Sequence, residues 1–101
     1  MKVKGKVRNM EYQKYRGMPN TLREHRQRLG MTQKQVAELL ETDPDWISHW
    51  EGGDALPSLI SSIKLSVLYR VPVQDLFFDL AKGVKADFEP KISIVPKVSN
   101  N

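Results

Sequence analysis

One segment of the sequence carries most of the polar side chains that could do chemistry. Asp43 and Pro44 are typical of the first positions of a helix, and Gly52-Gly53 is typical of its end. At ~100° per residue, Ile47 and Trp50 define the buried side of this helix. The opposite side presents Asp45, Ser48 and His49, with Trp46 on its flank and Pro44 at its tip, and these five residues are here called the recognition face. It combines hydrogen-bond acceptors and donors with an aromatic ring on its flank, so it is able to make several polar contacts at once.

The same side chains do not indicate an active site or a metal site. Ser48 and His49 are adjacent on a helix, so their side chains point apart and cannot act as a dyad. His25 and His49 have no third ligand at metal spacing, and the sequence contains no cysteine. No phosphate-binding glycine loop and no pair of catalytic carboxylates can be identified. The sequence therefore predicts no enzyme, no cofactor and no bound metal.

Local signals predict two helices before the recognition face. Thr21 and Glu24 form one predicted capping box, and Thr32 and Gln35 form a second. The first helix is predicted to end at Gly30, a residue suited to the left-handed conformation. The second leads, after a short turn, into the helix that bears the recognition face.

Two more helices are predicted after it. Ser58 caps a fourth helix to about Tyr69, and Pro72 starts a short fifth helix that ends at Gly83. The residues predicted to face inward are Leu59, Ile60, Ile63, Val67 and Leu68 in the fourth helix, and Leu76, Phe77 and Leu80 in the fifth. Phe78 is predicted to be exposed and to serve an interface.

The charge distribution separates a helical domain from two arms. We expect one all-α domain over residues 19–82 and a basic, disordered N-terminal arm over residues 1–18. The C-terminal tail, residues 83–101, is predicted to be flexible, with a short strand at Ile92–Val95. The formal net charge is +4 overall, divided into +5 for residues 1–16, −3 for residues 17–80 and +2 for residues 81–101.

Length and composition limit the class of protein. The chain has 101 residues, of which 40% are hydrophobic and 28% are charged, as in an ordinary single domain. Its longest apolar runs are far shorter than the ~20 residues that span a bilayer. The N-terminus has no apolar core of the kind found in secretion signals. We therefore expect no membrane association and a cytoplasmic location.

Several spaced motifs occur in order along residues 20–80. They are Leu22-Arg23-Glu24-His25-Arg26, Gly30-Met31-Thr32-Gln33, Val36-Ala37-Glu38-Leu39-Leu40, Ile47-Ser48-His49-Trp50-Glu51, Pro57-Ser58-Leu59 and Val71-Pro72-Val73-Gln74-Asp75-Leu76-Phe77. Together they resemble the Cro/repressor-type helix-turn-helix domain, the XRE family of phage and bacterial regulators. The resemblance implies a five-helix, lambda-repressor-like fold. It also implies a transcriptional repressor that binds double-stranded DNA as a homodimer on a two-fold symmetric operator.

The resemblance further implies roles for individual residues. Gln33 matches a glutamine that bonds a DNA phosphate, assisted by Thr32 and the free amides at the helix start. Arg23 and Lys34 lie near the edge that faces the DNA backbone, and the recognition face matches the positions that contact base edges. The positions matched to structural roles are Ala37, a small residue where two helices cross, and the ion pair of Arg26 with Glu51.

The sequence departs from the family pattern at positions that are expected to determine the affinity for DNA. The helix of the recognition face has no Lys or Arg, and Asp43 and Asp45 bring negative charge towards phosphates. The loop after it, residues 52–55, has no basic residue, and Glu41 replaces the common turn glycine. Either the first-helix arginines and the N-terminal arm supply the grip on DNA, or the arm is a solvated tail.

Two other functions stay open at this point. One is a protein-binding adaptor or antitoxin-like module that keeps the fold but binds DNA weakly or not at all. The other is a structural accessory of a larger complex, with the arms as docking segments. The acidic recognition helix, the Trp46 ring and the apolar tail strand motivate the first of these alternatives.

Overall fold

Six α-helices lie wholly within residues 12–96, the part of the chain that the computed structural model of the protein describes. They are α1 (Leu22–Arg28), α2 (Gln33–Leu40), α3 (Pro44–Gly52), α4 (Leu59–Tyr69), α5 (Val73–Leu76) and α6 (Phe78–Ile92). No strand occurs in this range, so the predicted all-α class is confirmed. None of the helices described there is long and apolar enough to cross a membrane.

The starts of three helices follow from side-chain caps. The Thr32 hydroxyl accepts a hydrogen bond from the Gln35 amide at 3.0 Å, and the Gln35 side chain accepts one from the Thr32 amide at 2.9 Å. This is the predicted capping box of α2. Asp43 caps α3 with Pro44 at the first helical position, and Ser58 caps α4. Each cap satisfies a backbone amide that the helix itself leaves unpaired, which confirms these three predicted starts.

The start of α1 differs from the prediction. The Thr21 side chain makes no capping hydrogen bond, so the predicted box of Thr21 and Glu24 is wrong. Instead, the Asn20 side-chain oxygen accepts a hydrogen bond from the Leu22 amide at 3.0 Å, and its amide group donates to the Trp50 carbonyl at 2.9 Å. The Thr21 amide donates to the Leu76 carbonyl at 3.0 Å, which holds this residue against the end of α5. Tertiary contacts therefore override the local capping motif.

The core is formed by apolar side chains of helices α1 to α5 and by Phe77, which follows α5. Its buried residues are Leu22, Val36, Ala37, Leu40, Ile47, Trp50, Leu65, Tyr69, Leu76 and Phe77. Helix α2 packs chiefly against α3, and Ala37 is fully buried on α2. A small side chain at this position lets two helices approach closely, which agrees with the role that the resemblance implies.

The apolar stripe predicted for α4 does not face the core. Leu59, Ile60, Ile63 and Val67 are exposed, and only Leu68 of the predicted set packs against the core. The residues that α4 buries are Ser62, Leu65 and Tyr69. Helix α4 carries apolar residues on two sides, and its periodicity alone does not decide which side the core takes.

The predicted fifth helix is two helices. The backbone leaves the helical conformation at Phe77, with φ −120° and ψ 50°, which allows Leu76 and Phe77 both to point into the core. Helix α6 then continues through Gly83 to Ile92, so Gly83 does not end it and the predicted boundary between residues 82 and 83 lies inside a helix. Turn hydrogen bonds follow at Ile94 and Val95, so the strand predicted at Ile92–Val95 is wrong.

Residues 12–18, called here the N-terminal segment, pack against α3 and α6. The Tyr12 hydroxyl and the Gly17 amide donate to the Gly53 carbonyl at 2.5 Å and 3.1 Å. The Tyr15 hydroxyl donates to Asp87 at 2.7 Å, and Lys14 forms an ion pair with the same carboxylate at 3.1 Å. The predicted disordered arm is therefore wrong for residues 12–18; its remainder, residues 1–11, lies outside the described residues, as do residues 97–101.

Candidate nucleic-acid interface

Helices α2 and α3 are joined by a turn of three residues, Glu41 to Asp43. Glu41 adopts the left-handed conformation, with φ 59° and ψ 47°, which glycine adopts without strain. The Thr42 amide donates to the Ala37 carbonyl at 2.9 Å, which closes the end of α2. Asp43 then caps α3, so the chain changes direction within one tight turn despite the missing glycine.

The recognition face of α3 is exposed, as predicted. Ile47 and Trp50 are buried, while all five residues of the recognition face are solvent-accessible. Trp46 is 49% exposed, and its ring meets the His49 ring edge-on with 5.9 Å between centroids. The His49 Nδ1 atom lies 3.4 Å from an Asp54 carboxylate oxygen. The face therefore offers a ring and several hydrogen-bonding groups over about two turns of helix.

The buried carboxylate of Glu51 joins α1 and α2 to α3, the helix that bears the recognition face. The Glu51 side chain is only 1% exposed and accepts hydrogen bonds from Arg26 at 2.6 Å and 3.1 Å. It also accepts from the Gln33 side-chain amide at 3.0 Å and from the Arg23 Nε at 3.4 Å. These four residues are called the Glu51 cluster, and they fix α1 and the start of α2 against the end of α3. The ion pair of Arg26 with Glu51 is present, as the resemblance implies.

The residues predicted to meet phosphate lie beside this cluster. Lys34 and Thr32 are exposed at the start of α2, although the Thr32 hydroxyl is used by its own helix cap. The Gln33 amide group has a second N–H besides the one donated to Glu51. Arg23 is half-exposed and bonds Glu51 only through Nε, which leaves its terminal nitrogens available as donors. Four groups able to bind an anion therefore sit along one edge, next to the recognition face.

Comparison with known proteins agrees with this geometry. A family model described as a helix-turn-helix domain matches residues 20–76, more than half of the chain. The chain belongs to this family. No curated protein and no solved structure matches it. The match covers α1 to α5 of this helix-turn-helix protein and leaves the N-terminal segment and α6 outside.

The charges of the Glu51 cluster are stable around neutral pH. Burial raises the pKa of Glu51, but the hydrogen bonds from Arg26 and Gln33 outweigh burial, and the net pKa lies below its ordinary value. The hydrogen bond to Glu51 raises the pKa of Arg26. Burial, helped by the negative charge of Glu51, raises the pKa of the nearby Tyr69 hydroxyl to about 12. The helix-turn-helix is thus held by an ionised pair beside a neutral tyrosine.

Two features of the interface were not predicted from the sequence. Arg23 and Gln33 share the Glu51 carboxylate, whereas the sequence assigned them only to phosphate. The spacing of Arg23 and Arg26, three residues apart on one helix, was the available signal, because such residues lie on one face. The N-terminal segment places Tyr12 and Arg16 beside Trp46 in one groove, and no periodicity in residues 12–18 indicates this.

Proposed function

We propose that this helix-turn-helix protein is a cytoplasmic, sequence-specific DNA-binding regulator of the XRE type that represses transcription. The observation that carries the proposal is the Glu51 cluster. It links α1, α2 and α3, so the anion-binding edge and the recognition face form one rigid surface. Sites built on packed helices and supported by buried hydrogen bonds hold their geometry better than sites on loops.

The recognition face supplies base contacts in the major groove. Asp45 accepts from a cytosine amino group, His49 donates to guanine, and Ser48 does either. Gln33, Lys34 and the free amides at the start of α2 set the register on the phosphate backbone. Because α3 has no cation of its own, most of the phosphate contacts come from α1 and α2.

A polarisation titration with a panel of duplex sequences tests this division of roles. Gln33→Ala removes an uncharged phosphate contact, so we expect weaker binding to every duplex with an unchanged log–log salt slope, because the slope reports phosphates neutralised by Lys and Arg. Asp45→Ala and His49→Ala are expected to change the preference among duplexes by about 1–3 kcal/mol at the contacted base pair.

Lys64→Ala is the control, because Lys64 is exposed on α4 and lies outside the proposed DNA-binding surface and outside the groove beside α6. It should alter neither affinity nor preference. The assignment of α3 as the recognition helix fails if Asp45→Ala and His49→Ala weaken all duplexes equally. The DNA-binding function itself fails if the wild-type protein binds no duplex at low salt.

We also propose that the protein is a homodimer through α6. This helix has 15 residues and buries none of them, which is unusual for a helix in a monomer. Its exposed face lines an apolar groove of about 860 Å³ against the start of α4 and α5. The exposed large apolar residues of α6 that line this groove are Phe78, Val84, Phe88 and Ile92. The rim carries both signs of charge, Lys82 and Lys85 with Asp75 and Glu89, so a two-fold copy can pair opposite charges.

Phe88→Glu tests the dimer by sedimentation. Phe88 is 59% exposed, so a charge there leaves the core intact but opposes burial at an apolar interface. We expect the variant to be monomeric and to bind a two-fold operator far more weakly than the wild type. Val67→Glu is the control, because Val67 is 72% exposed on α4. If Val67→Glu dissociates the dimer and Phe88→Glu does not, the interface is α4 rather than α6.

A protein-binding adaptor or antitoxin-like module is the second candidate function. The observation that favours it is the negative charge at the start of α3, where Glu41, Asp43 and Asp45 are all exposed next to Trp46. Such a surface suits a basic protein partner better than phosphate. An intact dimer that binds no duplex at low salt would support this function.

A further inference from the structure

The N-terminal segment is fixed to the end of α3. The Gly53 carbonyl accepts hydrogen bonds from both Tyr12 and Gly17, at 2.5 Å and 3.1 Å. The two backbones approach so closely that a Cβ atom on Gly53 would lie 3.1 Å from the Gly17 Cα atom. Asp87 on α6 holds the same segment from the other side through Tyr15 and Lys14. The segment therefore has a defined position relative to the recognition face.

This position creates a groove next to the recognition face. The groove has a volume of about 450 Å³ and is lined by Tyr12, Gln13, Arg16, Trp46 and residues 54–56. Trp46 belongs both to this groove and to the recognition face. Arg16 is exposed, and no carboxylate of residues 12–96 lies within ion-pair distance of it. The acidic group of the groove, Asp54, is paired with His49 instead.

We propose that Arg16, supported by Gln13, is a second phosphate-binding site for the duplex that α3 reads. The inference rests on the proposed function and adds a contact outside the residues of the family match. The loop that follows α3 has no cation, so Arg16 supplies positive charge at the edge where that loop has none. An arginine binds phosphate through two parallel N–H groups, and the Gln13 amide lies in the same groove as a further donor, whereas the Tyr12 hydroxyl is already bonded to the Gly53 carbonyl.

The residues that precede the groove in the sequence are also mostly basic. Residues 1–11 contain four basic residues and one acidic residue, and they are joined to the protein at Tyr12. Positive charge tethered at this point is attracted to a duplex bound on α3 without adding sequence specificity. The contact is therefore expected to add affinity equally for all sequences.

Salt titration of Arg16→Ala tests the proposal on the full chain. We expect equal weakening on every duplex and a log–log salt slope smaller by about 0.9, so the ratio of affinities between ~50 and ~200 mM salt falls by about 3.5-fold. Lys64→Ala removes an exposed cation from α4, away from the groove, and serves as the matched control. It should leave the slope unchanged. Thermal unfolding should show that neither exposed substitution affects the fold.

Duplexes with single neutral methylphosphonate linkages locate the contact. Where Arg16 contacts the replaced phosphate, the neutral linkage should weaken DNA binding by the wild-type protein several-fold. The same linkage should not weaken binding by Arg16→Ala any further. The inference is overturned if Arg16→Ala keeps the wild-type slope and every linkage effect, while Gln33→Ala still weakens all duplexes; the proposed function then survives. If the wild-type protein binds no duplex at low salt, both proposals fail.

Discussion

Glu51→Ala is expected to lower the free energy of unfolding by about 3–5 kcal/mol, the cost of removing one partner of a buried ion pair. The Arg26 side chain is 11% exposed and donates two hydrogen bonds to Glu51 and one to the Met31 carbonyl. Without the carboxylate, its charge stays in a site that water hardly reaches. Because small domains are stable by only about 5–15 kcal/mol, urea denaturation should show a large fall in midpoint.

Glu38→Ala is the matched control, since Glu38 is an exposed glutamate on α2. Surface substitutions of this kind usually stay within about 0.5 kcal/mol. If the two variants lose the same stability, the Glu51 cluster does not hold the helices together. A second control, Arg23→Ala, removes the longest and most exposed of the hydrogen bonds to Glu51 and should cost far less.

The same carboxylate makes stability depend on pH. Since the folded protein holds the pKa of Glu51 below its ordinary value of 4.5, the unfolded chain binds the proton more readily. The stabilisation is therefore complete above pH 4.5 and is lost as the pH falls through the lower, folded pKa. Glu51→Gln should flatten this acid limb of the stability profile. An unchanged acid limb would mean that other carboxylates cause it.

Local chemistry made much of the fold predictable. The caps of α2, α3 and α4 depend on side chains and amides within three residues of each other, so the sequence predicts them well. The buried side of α3 could be predicted from Ile47 and Trp50, because the helical period places these two large apolar residues on one side and the polar residues on the other. The order of motifs indicated the helix-turn-helix family, which the family match confirms.

The remaining errors come from contacts between distant segments. Both sides of α4 are apolar, so only its packing partners decide that Leu65 and Tyr69 are buried and that Leu59 is exposed. Gly83 suggested a helix end, yet here it makes room for the N-terminal segment, because a Cβ atom would lie 3.2 Å from the Met18 methyl group. Contacts of this kind leave no periodic signal in either segment.

The candidate site shows the same division. The exposure of the recognition face could be predicted from periodicity, and the pair of Arg26 with Glu51 from the family resemblance. The sharing of Glu51 by Arg23 and Gln33 could not, because it depends on the angle between α1, α2 and α3. The sequence therefore predicts which residues belong to such a site, but it does not predict the hydrogen bonds that connect them.

Gly53→Ala is expected to release the N-terminal segment. Gly53 has φ 83°, and an added Cβ atom would meet backbone atoms of Gly17 at 3.1 Å and 3.2 Å and the Met18 carbonyl oxygen at 3.2 Å. Backbone atoms cannot move aside as a flexible side chain does, so the segment must shift and lose its hydrogen bonds to the Gly53 carbonyl. The left-handed conformation costs an alanine about 1–2 kcal/mol, and the collision adds about 1–3 kcal/mol.

Gly30→Ala separates these two costs. Gly30 has φ 69°, but an added Cβ atom there has no neighbour within 4 Å. Urea denaturation should therefore show a larger loss for Gly53→Ala than for Gly30→Ala, by the cost of the collision alone. Trypsin should cut Gly53→Ala faster after Lys14 and Arg16, because a released segment is accessible to the protease. Equal stability losses and equal cleavage rates would mean that the N-terminal segment is not held by its contact with Gly53. If Arg16 binds phosphate only when the segment is in place, Gly53→Ala should also reproduce the reduced salt slope of Arg16→Ala, and Gly30→Ala should not.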